Sequence, residues 1–470
     1  MDPSGASLKG QQQRLNELRA QAKAAAAVGP VHAHLFAHLI AEGELFEALE
    51  QFEQARYLPV RSADAHEALA FYAQRLGLHE ASNAHYRAAV ALEPASARLW
   101  HNLATSERSL GRLMQAVEAC NRALALGADP YPTLLLRSEC ARISVTQNHV
   151  QELSEMLERT SEARQQMFLG YALGKELHDL GDYDRAFAAF STAASSRRIN
   201  LNYDVEIDRQ KMARITEVFS EATKSKPLGD KPADHIFIVG LPRSGTTLIE
   251  RIVSGLRGVH SNGETDNFFN ALIRAAPRSG EDIFTRCAQS AVTECETWYR
   301  KLSNPRGLEI SIVEKLPLNY LYVGAIARNL GRSRIIWVNR DPIDSCFAMW
   351  RTLFAEAYPF SYDFEDLAAY HASYKLLQRH WEGLTQGLIL NVDYESLVAS
   401  PAAVGRAIAA HCGLDWNETA TDISRVKMAS LTASATQVRE GIYTRSSGIW
   451  KRYEQHLYPL QSALDRHHQL

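Results

Sequence analysis

Four windows in the first 200 residues share one pattern of apolar and polar positions, aligned by glycines at multiples of about 34 residues. In each window, apolar residues recur at helical spacing on both sides of a glycine, which predicts a helix, a tight turn and a second helix. Small alanines let the two helices approach closely, and larger apolar residues fill the space between them. The recurrent residues are Gly43, Leu45, Ala48, Phe52 and Ala55; Leu69, Gly77, Ser82, Tyr86, Ala89 and Pro94; Trp100, Leu103, Gly111, Leu113, Ala116, Cys120 and Ala123; and Leu173, Gly174, Gly181, Tyr183, Ala186, Phe190 and Ala193.

The pattern resembles the tetratricopeptide repeat, and the stretch LGDYDRAFAAFSTAA is its best copy. The resemblance implies an α-helical repeat solenoid over residues 29–200, with a degenerate copy at Tyr131–Gln165 and a helical cap at residues 1–28. Such repeats bind a partner or substrate in their concave face, or serve as scaffolds and dimer contacts. The sequence leaves both roles open, since repeat identity does not name a ligand.

After residue 200 the period stops, and residues 201–231 predict a helical connector and a polar linker. The segment 232–470 then alternates short apolar runs with amphipathic stretches. The runs IFIVG, SIVEK, RIIWVNR and GLILNVDYE are apolar and largely β-branched, as buried parallel strands are. They predict a P-loop-like α/β domain with a parallel sheet, whose ligand binds at the carboxyl ends of the strands.

Composition narrows the class of protein only moderately. The 470 residues carry a net charge of −3, which gives no reason to expect nucleic-acid binding. The six cysteines are scattered without zinc spacing, which favours reduced core residues in an intracellular protein. We expect a cytoplasmic protein, because the first 30 residues lack the apolar core of a signal peptide and no stretch is long enough for a membrane span.

The stretch IFIVGLPRSGTTLIERI predicts a strand, a glycine-bearing turn and a helix, the arrangement that binds phosphate through backbone N–H groups. Gly240 and Gly245 have the spacing of the nucleotide-triphosphate loop, but Thr246 stands where that loop has its lysine. A triphosphate enzyme needs this lysine to reach the β- and γ-phosphates, so the loop fits a single terminal phosphate better. Its candidate ligands are Arg243, Ser244, Gly245, Thr246 and Thr247.

Three further stretches carry candidate chemistry, two of them at predicted strand ends and one after a glycine turn. Arg340 ends the run IIWVNR, where it is either a second anion ligand or a surface residue beside a capped helix. Lys315, in EKLPLNY, could supply the cation that the first loop lacks or could simply be solvated. Glu264, in HSNGETDNF, is a candidate general base, with His260 as its competitor and a surface role as the alternative.

Taken together, these stretches resemble the sulfotransferases that use 3′-phosphoadenosine-5′-phosphosulfate (PAPS). PRSGTT is similar to their 5′-phosphosulfate loop, and RDPIDSCFAMW is similar to their 3′-phosphate motif. The likeness covers about residues 232–460 and is strongest to bacterial sulfotransferases with tetratricopeptide repeats, which are similar to tyrosylprotein sulfotransferases. EKLPLNYLYVG, YESLVASP and TASATQVREGIYTRSSGIWKRY carry the likeness to this subgroup.

The resemblance implies in-line attack of an acceptor hydroxyl on sulfur, without a metal. Glu264 would be the base, and Lys315 and Ser434 would stabilise the transition state. Residues Arg243 to Thr247 would hold the 5′-phosphate and Arg340 the 3′-phosphate. The further cofactor-binding residues that it implies are Ser345, Tyr394, Gln437 and Arg445.

The chain departs from the family pattern at three positions. Ala348 stands where the family has a serine for the 3′-phosphate, and Ser345 or Arg351 could substitute for it. Asp266 and Asn270 replace arginines that bind acidic peptides in the tyrosylprotein enzymes, so an acidic peptide would be repelled. A protein tyrosine, a carbohydrate and a small hydroxyl compound all stay open as acceptors, and a homodimer is also left open.

Two rival hypotheses remain. One is a non-catalytic interaction protein that binds partners through its repeats and keeps a nucleotide-sensing domain, for which Ala348 is the only support. The other is a nucleoside or small-molecule kinase, which predicts magnesium-dependent ATP binding. The stretch TRSSGIW is a candidate mobile lid over the cofactor.

Overall fold

The computed structural model describes residues 3–221, 228–229, 231–277, 282–354, 356–423 and 447–468. The chain divides into two compact units. The first comprises Met1–Thr133 and Arg300–Leu308, and the second comprises Leu134–Tyr299 and Glu309–Leu470. The domain boundary expected near residue 200 therefore does not coincide with the division into compact units, since the last part of the helical region clusters with the α/β domain.

The described part of the first unit is helical. Its helices are α1 (Pro3–Ala24), α2 (Pro30–Glu42), α3 (Leu45–Ala55), α4 (Ala63–Arg75), α5 (His79–Leu92), α6 (Ala97–Ser109) and α7 (Leu113–Ala125). Gly43, Gly77 and Gly111 lie in the turns of successive helix pairs with φ of 75°, 74° and 72°. Glycine suits these turns because a side chain is strained at positive φ.

The helix pairs pack as the alternation of small and large residues predicts. Ala48, on α3, is fully buried, and the rings of Phe36 and Phe52 lie 5.9 Å apart between α2 and α3. Ala89 and Ala116 are fully buried in the next two pairs. The helical region is thus confirmed, whereas its assignment as tetratricopeptide repeats stays a prediction.

Five more helices lead to the α/β domain. They are α8 (Pro130–Cys140), α9 (Val150–Arg159), α10 (Ala163–Leu180), α11 (Tyr183–Ile199) and α12 (Val205–Val218). The pair α8 and α9 occupies the segment predicted as a degenerate repeat. In place of a glycine turn, its connection contains an isolated antiparallel bridge between Ser144 and Gln147.

Helices α10 and α11 are bonded directly to the α/β domain within the second unit. The Tyr171 hydroxyl donates to the Trp350 carbonyl oxygen at 3.0 Å. On α11, Arg198 Nε donates to Asp366 Oδ2 at 2.8 Å. These buried and half-buried bonds explain why the compact unit extends beyond the predicted domain boundary.

The described part of the α/β domain contains one five-stranded sheet. Its strands are β1 (His235–Gly240), β2 (Val259–Ser261), β3 (Ser311–Glu314), β4 (Ser333–Asn339) and β5 (Ile389–Asp393). The order is β2-β3-β1-β4-β5, and every pairing is parallel. The four predicted strands and the parallel sheet are confirmed. The sequence did not predict β2, which is only three residues long and lies at an edge.

Helices follow and flank the strands. They are α13 (Thr246–Ser254), α14 (Asn267–Ala275), α15 (Ile283–Ala288), α16 (Val292–Ser303), α17 (Val323–Asn329), α18 (Pro342–Trp350), α19 (Phe364–Leu384), α20 (Tyr394–Ala399), α21 (Pro401–Cys412) and α22 (Tyr458–His468). Ile236, Ile238, Ile249, Ile336 and Leu397 are fully buried and belong to the core between the sheet and its helices.

None of the described helices combines the length and the apolar character that crossing a bilayer requires. All six cysteines are buried, and none forms a disulfide.

Candidate active site

Each of the five strands is followed at its carboxyl end by a predicted site residue. The phosphate loop follows β1, Glu264 follows β2, Lys315 follows β3, Arg340 follows β4 and Tyr394 follows β5. Strand β1 lies between β3 and β4, so the chain leaves it toward one side of the sheet and later returns on the other. Ligands of open parallel sheets bind at this switch point, outside the carboxyl ends of the strands.

The phosphate loop is held in a backbone conformation that its glycines permit. Gly240 has φ of 151°, and a Cβ there would stand 2.7 Å from the Val338 carbonyl oxygen. Gly245 precedes α13 with φ of 108°, and Arg243 between them has a positive φ of 65° despite its side chain. Strain of this kind is typical of loops that bind ligands.

The hydroxyls of the loop are withdrawn from solvent. Ser244, Thr246 and Thr247 are all buried at the start of α13. Within the described residues, the Ser244 hydroxyl has no hydrogen-bond partner. A buried hydroxyl without a partner at a helix N-terminus is suited to an oxyanion.

Arg340 joins the second predicted anion site to the first. Its Nη1 donates to the Arg243 carbonyl oxygen at 2.8 Å, and its guanidinium lies 4.7 Å from the centroid of the Tyr394 ring. The Tyr394 ring is in turn packed against the backbone of Gly245. The loop after β1 and the residues after β4 and β5 therefore form one continuous surface.

Three guanidinium groups share this surface. Burial, together with the charges of Arg351 and Arg340, lowers the pKa of Arg243 to about 10. Burial also lowers the pKa of Arg351, which follows α18. The buried Asp344 carboxylate lies 3.8 Å from Arg340 Nη2 and offsets part of this charge. The remaining positive charge of the cluster fits a ligand with negative groups.

The substitutes expected for the missing family serine are both on or next to α18. Ser345 is buried, and its hydroxyl has no hydrogen-bond partner among the described residues. Ala348 is buried as well. Arg351 lies with its Nη1 3.5 Å from Nε2 of His178, on α10. Ser345 therefore offers an uncommitted donor, and Arg351 offers charge.

Lys315 and Glu264 are in direct contact on the other side of β1. Lys315 Nζ donates a hydrogen bond to Glu264 Oε1, and the Lys315 side chain is only 1% exposed. Glu264 is 34% exposed and belongs to the turn after β2. The structure thus brings the predicted base and the predicted cation together, whereas the competitor His260 lies exposed on the edge strand β2.

Sequence reasoning missed a second carboxylate at Lys315. Glu250, on α13, has its Oε2 3.6 Å from Lys315 Nζ, and its side chain is only 5% exposed. In the sequence it looks like one charge among the apolar residues of an amphipathic helix. Only its position four residues after Thr246 could have pointed to a place beside the phosphate loop.

The residues after Glu264 give its surroundings an acidic character. Asp266 and Asn270, which replace two arginines of the related pattern, are exposed at the start of α14. Tyr358 has a positive φ of 54°, and burial together with the charges of Glu264 and Asp266 raises its pKa. The side of the site next to Glu264 therefore combines carboxylates with an aromatic ring.

Three predicted site residues, Ser434, Gln437 and Arg445, lie outside the described residues, as does the first part of the candidate lid, residues 444–446. Where the description resumes, the Gly448 N–H donates to Asp344 Oδ2 at 2.5 Å, and the Trp450 N–H donates to Oδ1 of the same residue at 3.3 Å. These bonds fix the second part of the candidate lid, residues 447–450, to α18.

Residues 234–418 match the model of the sulfotransferase family. This segment of the chain is similar to sulfotransferases. This match supports an enzyme that transfers sulfuryl groups, and it spans all five strand ends that carry the predicted site. In the described part of the domain and the helical region, no group of three or more His, Cys, Asp or Glu side chains is placed to hold a metal ion.

One individual protein is similar to most of this chain, at low sequence identity. An uncharacterized protein from Aquifex aeolicus (strain VF5) is 28% identical over 377 residues, which are 76% of this chain and 48% of that protein. The chain therefore spans about half the length of the relative that it matches.

Solved structures are similar only at low TM-scores. The sulfotransferase domain from the curacin biosynthetic pathway has 18% identity and a TM-score of 0.37, covering 50% of this chain and 96% of that domain. A mouse sulfotransferase complexed with PAP has 13% identity and a TM-score of 0.33, covering 54% of this chain and 86% of the mouse chain.

Proposed function

We propose that the sulfotransferase domain moves a sulfuryl group from PAPS to the hydroxyl of an acceptor. One observation carries the proposal most directly. Arg340 is hydrogen-bonded to the backbone of the phosphate loop, and so two anion sites after neighbouring strands form one surface. A nucleotide with phosphates at both its 5′ and 3′ positions needs two such adjoining sites.

The residues present fit this nucleotide. In the proposal, Arg243 and the N–H groups and hydroxyls of residues 244–247 hold the 5′-phosphate, as expected at a helix N-terminus. Arg340 and Ser345 hold the 3′-phosphate, and Arg351 adds positive charge beside it in place of the hydroxyl that Ala348 lacks. Tyr394 lines the site between them, with its ring against Gly245 and Arg340. Gln437 and Arg445 stay predicted contributors.

PAPS supplies the sulfuryl group, whose bond to the 5′-phosphate breaks as the acceptor oxygen bonds to sulfur. In the proposal, Glu264 accepts the proton of the acceptor hydroxyl, which requires its carboxylate form. Lys315 offsets the negative charge that develops on the oxygen of the leaving phosphate. Ser434 is predicted to assist it. The contact between Lys315 and Glu264 supports this pairing of roles.

The acceptor is proposed only as a class. A hydroxyl on a protein tyrosine, a carbohydrate or a small molecule satisfies the chemistry, and the exposed Asp266 disfavours acidic peptides. The helical region is proposed to bind a large acceptor or to form a homodimer. We also propose a cytoplasmic location, because all six cysteines are buried and unpaired.

The test is calorimetric titration of the full chain with 3′-phosphoadenosine-5′-phosphate (PAP) without magnesium, beside ATP with magnesium. We expect PAP to bind, and Arg243→Ala and Arg340→Ala each to weaken it by about tenfold or more, since each removes a charge-assisted contact. Binding of ATP with magnesium but not of PAP would overturn the proposal in favour of a kinase.

A second experiment separates an enzyme from a nucleotide-sensing interaction protein. Glu264→Gln keeps the shape of the base and removes its ability to accept a proton. We expect this variant to bind PAP as the wild type does and to lose nearly all sulfuryl transfer to 4-nitrophenol, a model hydroxyl acceptor. PAP binding without transfer by the wild type to any hydroxyl acceptor would favour the nucleotide-sensing alternative.

A further inference from the structure

Two carboxylates flank the Lys315 ammonium, and they come from different elements. Glu264 contacts it from the turn after β2, and Glu250 Oε2 lies 3.6 Å away on α13. Lys315 and Glu250 are both buried, whereas Glu264 is one-third exposed. Lys315 therefore has one buried carboxylate partner on α13 and one partly exposed carboxylate partner in the turn after β2.

Glu250 also holds the turn that carries Glu264. Its Oε1 accepts a hydrogen bond from the Ser261 hydroxyl at 2.7 Å. The Ser261 oxygen accepts the Gly263 N–H at 3.0 Å, and the Lys315 N–H donates to the Gly263 carbonyl oxygen at 2.9 Å. One side chain on the helix of the phosphate loop thus reaches both proposed catalytic residues.

We propose that Glu250 is a positioning residue for sulfuryl transfer, which holds Lys315 and, through Ser261, the turn of Glu264 in fixed positions relative to the phosphate loop. This inference rests on the proposed function. Glu250 belongs to α13, which begins at the loop, so its position is tied to that of the 5′-phosphate site. When Glu264 accepts a proton and loses its charge, Glu250 still neutralises the buried ammonium.

Glu250→Gln tests the charge while leaving an oxygen that can accept the Ser261 hydrogen bond. We expect kcat for transfer from PAPS to 4-nitrophenol to fall by about 10-fold to 100-fold, because Lys315 is no longer held in place. The affinity for PAP should be unchanged, since no phosphate contact is lost. Unchanged kcat would overturn the proposal.

The pH profile distinguishes positioning from a general loss of structure. In Glu250→Gln, the Lys315 ammonium interacts with Glu264 as its one remaining carboxylate partner. The negative charge of Glu250 near Glu264 is also removed. Both changes favour the carboxylate form of the base. The acidic limb of the profile should therefore move to lower pH. His260, Asp266, Tyr358 and Glu314, whose Oε1 accepts the Phe268 N–H at 3.4 Å, are the other titratable groups around the turn. All four are retained in Glu250→Gln, so the shift reports on Glu250.

Two matched variants serve as controls. Ser261→Ala breaks the link to the turn but keeps every charge, so it should lower kcat without moving the acidic limb. Glu314→Gln changes another buried carboxyl group, next to Lys315 in sequence but bonded to Asn319 Nδ2 at 3.0 Å. The Glu314→Gln variant should leave both kcat and the acidic limb of the pH profile unchanged. A shift of the acidic limb in either control would contradict the assignment to Glu250.

A double-mutant cycle on melting temperature tests the shared ammonium without any turnover. Glu250→Gln and Glu264→Gln each leave Lys315 with one carboxylate, whereas the double variant leaves a buried ammonium with none. We expect the double variant to lose more melting temperature than the sum of the singles. Additive losses would overturn the proposal. If the wild type fails to use PAPS but the cycle is non-additive, the proposed function fails and the shared pairing stands.

Discussion

The ring of Tyr394 lies so close to the backbone of Gly245 that a Cβ added to Gly245 would stand 2.3 Å from Tyr394 Cδ2. The glycine also has φ of 108°, where side chains are strained. The phosphate loop and the residue after β5 therefore fit together only because position 245 has no side chain.

Replacing this glycine should damage the nucleotide site. For Gly245→Ala we expect PAP affinity to fall by more than about tenfold, because the loop or the Tyr394 ring must move to admit the methyl group. Calorimetry with PAP measures this loss. Gly258→Ala is the matched control, since Gly258 also has a positive φ of 75° but has nothing within 4 Å of an added Cβ. It should cost some stability and leave PAP affinity intact.

The second prediction concerns the shape of the Arg340 side chain. Arg340→Lys keeps a positive charge but loses the planar group that both bonds to the Arg243 carbonyl oxygen and stacks on Tyr394. We expect PAP affinity to fall by about tenfold, while the affinity for adenosine-5′-phosphosulfate, which lacks the 3′-phosphate, falls less.

The control for that variant is Arg274→Lys. The Arg274 guanidinium also lies 4.7 Å from an aromatic centroid, that of Trp298, but belongs to α14 outside the phosphate-binding surface. Equal losses for the two nucleotides in Arg340→Lys, or a loss of PAP affinity in Arg274→Lys, would contradict the assignment of Arg340 to the 3′-phosphate.

The third prediction concerns the attachment of α11 to the α/β domain. Arg198 donates to Asp366 Oδ2 at 2.8 Å and to the Tyr203 carbonyl oxygen at 3.0 Å, and its side chain is partly buried. We expect Arg198→Ala to lower the free energy of unfolding of this unit by about 1–2 kcal/mol, as for charge-assisted bonds.

Urea unfolding measures that change, and Arg185→Ala is its control on the same helix. The Arg185 ion pair with Asp182 is largely exposed, so its loss should cost less than about 0.5 kcal/mol. Equal losses of unfolding free energy in Arg198→Ala and Arg185→Ala would mean that the Arg198 bonds do not stabilise the attachment of α11 to the α/β domain.

The fourth prediction is a pH dependence of stability. Burial raises the pKa of Glu314 to about 7 from its usual value of 4.5. The folded state therefore favours the protonated form, and the free energy of unfolding should fall as pH rises from about 4.5 through about 7. Glu314→Gln removes this titration, so the variant should lose about 3 kcal/mol less than the wild type between pH 4 and pH 8.

Urea unfolding at the two pH values gives the comparison directly. The Glu314→Gln side chain keeps an oxygen that can accept from the Asn319 amide, as the Glu314 Oε1 does at 3.0 Å. Parallel pH dependence in wild type and variant would show that the Glu314 carboxyl group does not titrate differently on folding.

The sequence predicted the parts of the site that have a strong local pattern. Long apolar runs revealed four strands, and the residues after them, including Lys315 and Arg340, could be placed at one edge of the sheet by topology alone. Strand β2 was missed because three half-exposed residues leave no apolar run. Glu250 was missed because its partners, Ser261 and Lys315, are brought to it only by folding.

The extent of the two compact units could not be predicted from the sequence either. The repeat pattern continues through α11, so periodicity alone suggests one uninterrupted helical domain. The bonds of Tyr171 to Trp350 and of Arg198 to Asp366 depend on long-range packing that no local pattern reports. Ser434, Gln437 and Arg445 lie outside the described residues, and their roles in the site stay predictions.

The edge strand β2 has a consequence for how inactivation should be observed. It pairs with β3 through only three residues, yet the turn after it carries Glu264. Fraying of this strand would remove the proposed base while the helices, which dominate the far-ultraviolet circular dichroism signal, stayed intact. Mild heating or low urea should therefore abolish transfer before the spectrum changes, and a chain that looks folded by spectroscopy need not be a chain that is active.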